Sequence, residues 1–137
     1  MAQFFRRRWP GVSYGRGEDW HYVGEAGEPA FTADWENVGT QDLAFRKRES
    51  DVIDLMGTVG PTGAWASTVF TLPVGYRPSG STYFTADGDN ISGPTVVSAI
   101  HGVVNADGTV QLAKTTSATV DRVFINTLIF LVPATSA

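Results

Sequence analysis

Between Phe31 and Val132 the sequence alternates short runs of β-branched and aromatic residues with clusters of Gly, Pro, Asn and Asp. This punctuation leaves few folds open, because each run suits one strand and none sustains a helical period. Trp35–Val38 and Leu43–Arg46 are the first candidate strands, followed by a polar turn over Lys47–Asp51. Val52–Val59 is a stronger candidate and exits at Gly60-Pro61-Thr62-Gly63. Ser67–Leu72 stops at Pro73, which has no N–H with which to continue a ladder. Thr82–Thr85, Thr95–Val104, Thr109–Leu112 and Val123–Val132 complete the set, with Asp87-Gly88-Asp89-Asn90 expected as a loop. Asn105-Ala106-Asp107-Gly108 is the clearest hairpin signal, since Gly after Asp supplies the positive φ of a short β-turn. The competing helix, Gln41–Met56, fails because its apolar residues do not line one face and Ser50-Asp51 interrupts them. The predicted fold class is all-β, an antiparallel β-sandwich of jelly-roll type over residues 31–137.

The first thirty residues read differently, as an extended N-terminal anchoring arm. Arg6, Arg7, Arg8 and Arg16 precede the first acid, Glu18, after which fourteen acids face six Lys or Arg. A basic arm on an acidic body marks an interaction tail. The body repels a long duplex, so an acidic protein surface is the better partner and no nucleic acid is expected. The aromatics Phe4, Phe5, Trp9, Tyr14, Trp20 and Tyr22 are too many for a solvated linker. Phe4, Phe5 and Trp9 with Arg6, Arg7 and Arg8 form the mix enriched at interface hot spots, and these six residues are the expected anchor. The arginines are followed by Trp-Pro-Gly rather than an apolar core, so no signal peptide is read here. Val123–Val132, the most apolar run, is about half the length of a membrane helix, and no membrane insertion is expected.

No constellation of catalytic residues emerges. The chain has no cysteine, which excludes disulfides and thiolate metal sites. His21 and His101 are its two histidines, and each reads better as a satisfied or surface residue than as a general base. There is no GxSxG elbow and no phosphate cradle with its Lys. Counted from Asp87 as a calcium loop, the sixth position is Ser92 and the twelfth Ser98, where a Gly and a bidentate Glu are needed. The expectation is therefore no catalytic residue, no metal, no cofactor and no enzyme activity.

Several pieces of the chain, from about Gly27 to Pro133, together resemble a domain that recurs at the tips of phage tail fibres and in baseplate receptor-binding proteins. They are GEPAFTADWENVG, LAFRKRES, the Gly-Thr-Val end of the strand from Val52, FTLPVGYRP, and VVNADGTV. The resemblance implies a compact antiparallel β-sandwich, a homotrimer, and binding of host-surface saccharides or other receptors, with no cofactor. It places the protein on the virion, at the tail tip or the capsid surface. The alternative it leaves open is a capsid decoration or head-fibre protein anchored by the basic arm, because only about thirty residues precede the module. Exposed aromatic faces stack on the apolar faces of sugars, which makes Trp65, Tyr76 and Tyr83 the candidate receptor contacts. Arg46, Lys47 and Arg48 read as a solvated turn.

Overall fold

The computed structural model describes residues 18–48, 51–90, 93–115 and 119–132. Nine strands follow one another in these residues: β1 (His21–Tyr22), β2 (Trp35–Asn37), β3 (Ala44–Lys47), β4 (Val52–Pro61), β5 (Thr68–Thr71), β6 (Thr82–Asn90), β7 (Gly93–Val104), β8 (Thr109–Lys114) and β9 (Arg122–Leu131). They form one antiparallel sheet in the order β1-β3-β4-β9-β6-β7-β8-β5, with β2 paired to the end of β4. The all-β antiparallel expectation holds, although the ladder is continuous rather than divided between two sheets.

The sheet curls until its ends face each other. Phe45 on β3 stacks on Phe70 of β5, with ring centroids 6.0 Å apart. Thr32, just before β2, donates its N–H to Val69 O at 2.9 Å. The concave side holds the core, where Leu43, Phe45, Ile53, Leu55, Val69, Phe70, Ile100 and Leu112 are buried. Two layers thus pack on one core, as in a sandwich; β8 alternates buried with more exposed residues, whereas β3 and β4 are buried along most of their length.

Glycine is required where backbone crosses backbone. At Gly57 the β4–β9 register shifts, φ is 147°, and a Cβ would run into the main chain of Leu43. The connection from Val38 to Leu43 lies there, and Thr58 N–H donates to Gln41 O at 2.9 Å.

Three local expectations are corrected. Asp87-Gly88-Asp89-Asn90 is not a loop but the second half of β6, because Asp89 is buried against Arg122 of β9 and Gly88 lets Val120 and Ile100 close over the strand. Residues 18–30, expected in the arm, bring β1 to the sheet, with Tyr22 and Val23 buried, so the sheet begins before Phe31. Arg46 and Arg48 are not a solvated patch. Both guanidinium groups bond the buried Asp54 carboxylate, which β4 places directly opposite Arg46.

Candidate functional site

The hairpin at Asn105–Gly108 fixes what β6, β7 and β8 show to solvent. Gly108 has φ 92°, and its N–H bonds Asn105 O at 2.8 Å. Val104 then faces Val110, and counting outward puts Val103 opposite Gln111 and His101 opposite Ala113. On β6, Tyr83 faces Val103 and Thr85 faces His101. Side chains alternate across a sheet, so Tyr83, Val103 and Gln111 form one outward row and Thr85, His101 and Ala113 the next. The neighbours Ala86, Ile100, Val104, Val110 and Leu112 turn into the core. Gly102 lacks a Cβ because the Phe84 ring occupies that space.

Across these rows runs an open groove of ≈ 280 Å³ lined by Ser67, Tyr83, His101, Gly102, Val103, Gln111, Leu112 and Ala113. Tyr83 is 76% exposed, although it is a large aromatic that would gain by burial. The polar wall is held in place. Asn105 Nδ2 donates to Gln111 Oε1 at 2.9 Å, and Gln111 Nε2 donates to Thr68 Oγ1 at 3.1 Å. Asn105 is itself oriented by Ser81, whose hydroxyl donates to Asn105 Oδ1 at 3.1 Å. No carboxylate, ammonium or guanidinium group lines the groove.

The three aromatic candidates are not brought together. Tyr83 stands in the groove. Trp65 packs edge-on against Trp35, with centroids 5.0 Å apart, and its indole N–H donates to Leu112 O at 3.1 Å. Tyr76 packs on Phe45 and His21, and its hydroxyl donates to Glu18 at 2.6 Å. Burial, and then that bond to Glu18, pushes the Tyr76 phenol well above the usual tyrosine range. The anchor residues Phe4, Phe5, Arg6, Arg7, Arg8 and Trp9 lie outside the described residues.

The histidines take different places. His21 is held between two carboxylates, Nε2 3.0 Å from Glu18 and Nδ1 2.9 Å from Glu28. His101 is exposed at the groove. Among the described residues no group of three or more His, Asp or Glu is arranged to hold a metal ion. No helix in them is long and apolar enough to cross a membrane.

Gln111, Val103, His101, Ala113 and Ser67 join Tyr83 at the groove, and sequence reasoning did not single them out for it. The signal for the first four was present in the hairpin, since counting from Gly108 with a period of two gives their register. Ser67 is brought in by the β5–β8 pairing, which has no local signature.

No protein-family model and no curated protein matches the chain. Among solved structures it is similar to the receptor binding protein (gp15) of Listeria phage PSA, with a TM-score of 0.65, over 85% of this chain and 67% of that one. At 15% sequence identity, what the two chains share is the fold.

Proposed function

We propose that the chain is a non-enzymatic receptor-binding module of a bacteriophage particle, carried at the tail as a homotrimer. In this reading it joins other virion proteins through its basic arm and meets the host surface through the groove beside Tyr83. One observation carries it: on a fold shared with a phage receptor-binding protein, a 76%-exposed aromatic stands over an open, pre-ordered groove. A host-surface saccharide suits such a ring, whose face packs on sugar C–H groups. His21 is engaged by two carboxylates and the Tyr76 hydroxyl, and among the described residues no hydrogen bond joins either histidine to a Ser or Thr hydroxyl, the pairing that activates those nucleophiles.

The test is attachment of the purified, fluorescently labelled protein to host cells. Tyr83→Ala is expected to weaken attachment about tenfold or more, the effect of losing a hot-spot aromatic. Its circular dichroism and melting temperature should stay unchanged, because the side chain supports no core contact. Undiminished attachment would sink the groove as the receptor site. Gold labelling of virions should mark the tail; label spread over the head would favour capsid decoration instead. Light scattering at micromolar concentration should give a trimer mass.

A further inference from the structure

We infer that the Tyr83 groove takes an uncharged, hydroxyl-bearing sugar unit and discriminates against anionic polymers. The inference rests on the receptor-binding reading and narrows it to a chemical class. Charged residues make up 18% of the chain, yet Ser67, Tyr83, His101, Val103, Gln111 and Ala113 bring no carboxylate, ammonium or guanidinium group to the groove. Anion sites are built from Arg or Lys clusters, helix N-termini or nests of N–H groups. The described residues contain no helix, and Lys114, next to Ala113, places its ammonium over the Trp65 ring. Asp87 stands exposed on the same face of β6 as Tyr83 and adds repulsion toward an anion. So does the net acidity of the body. The π face of Tyr83 is itself electronegative and attracts C–H groups rather than oxyanions.

What the groove offers matches hydroxyl groups. Gln111 uses one Nε2–H on Thr68 and accepts one bond at Oε1, which leaves one N–H and one lone pair in a fixed direction. The Ser67 hydroxyl and the exposed His101 ring add rotatable or edge-on partners. Val103 and Ala113 form an apolar floor, and a volume of ≈ 280 Å³ is just below the range of drug-sized pockets, suited to one ring.

The experiment is a glycan array probed with the full-length protein, in which each neutral oligosaccharide is printed beside its phosphorylated, sulfated or uronic-acid counterpart. Binding to at least one neutral glycan is expected, about tenfold stronger than to its charged counterpart. It should hold between about 50 and about 500 mM salt, because no ion pair is available to be screened. Tyr83→Ala should abolish it. Ala113→Trp, which fills the groove from an exposed position and removes no contact, should abolish it as well. Preference for the charged counterparts, fading with salt, would overturn the inference and leave the receptor role standing. So would silence on every glycan while attachment to cells still depends on Tyr83. Attachment independent of Tyr83 would remove the groove from both readings, and no attachment at all would remove the receptor role with it.

Discussion

Asp89 and Arg122 are 33 positions apart in sequence and directly opposite each other on β6 and β9, where Arg122 Nε and Nη2 donate to the two carboxylate oxygens at 2.8 and 2.7 Å. Hydrogen bonding from Arg122 holds the Asp89 carboxyl below the usual carboxylate range, against the desolvation that pushes it up. A folded-state value below the unfolded one means the pair stabilises fully above the unfolded Asp value of about 3.9. That stabilisation is lost as pH falls through the depressed folded value. Asp89→Asn is therefore expected to cost about 2 kcal/mol at neutral pH, the scale of a charge-assisted bond. Its difference from the parent should shrink as urea titrations move below about pH 4. A difference that stays constant down to about pH 2 would show that the ion pair does not carry the effect. The same residue shows why the local reading failed: Asp-Gly-Asp-Asn favours a turn by propensity, and only a cation from a distant strand makes Asp89 affordable inside.

At the scale of elements, each strand predicted after Phe31 appears close to its expected place, because most runs carry their own β-rich composition and stop signal, the exception being the turn expected at Asp87, where β6 runs on to Asn90. Pro73 lies just beyond β5, and Gly108 turns β7 into β8. What had no local signature was pairing. The insertion of β9 between β4 and β6, and the joining of β5 to β8, depend on which faces bury together. Thus half of the groove could be counted from one hairpin, whereas Ser67 could not. Gly57 shows the same division, since its sequence context is an ordinary strand and its necessity comes from the crossing at Leu43. Gly57→Ala is expected to cost about 1–3 kcal/mol from the disfavoured φ alone, with more from displacing that connection. For a chain of this size the melting temperature should fall by several degrees or more. Gly63→Ala, where an added Cβ meets nothing within 4 Å, is the control and should leave it unchanged. Equal melting temperatures for the two variants would remove the crossing as the reason for Gly57.

Taken whole, the molecule closes by side chains where its ladder ends. Trp35 and Trp65 meet at 5.0 Å, the Trp35 indole donates to Ala66 O at 3.0 Å, and Phe45 stacks on Phe70. These contacts join the β2–β3 end of the sheet to the β5 end, and the core between them belongs to both. Neither end has an apolar face it could bury alone, so the two cannot unfold separately without exposing the other. With Trp9 and Trp20 replaced by Phe, tryptophan emission reports the Trp35–Trp65 closure, and it should give urea transitions coincident with far-ultraviolet circular dichroism, which reports the ladder. Phe70→Ala is expected to shift both midpoints together by the equivalent of about 3–5 kcal/mol, the cost of emptying a large aromatic site in a core. If the emission change preceded the loss of ellipticity, the closure would be a separate, weaker unit. The groove on β6–β8 would then survive opening of the curled sheet. If the transitions coincide, the rigid outer face that presents Tyr83 is stabilised by contacts on the opposite side of the sheet, and substitutions at Phe45 or Phe70 should reach the groove only through global stability.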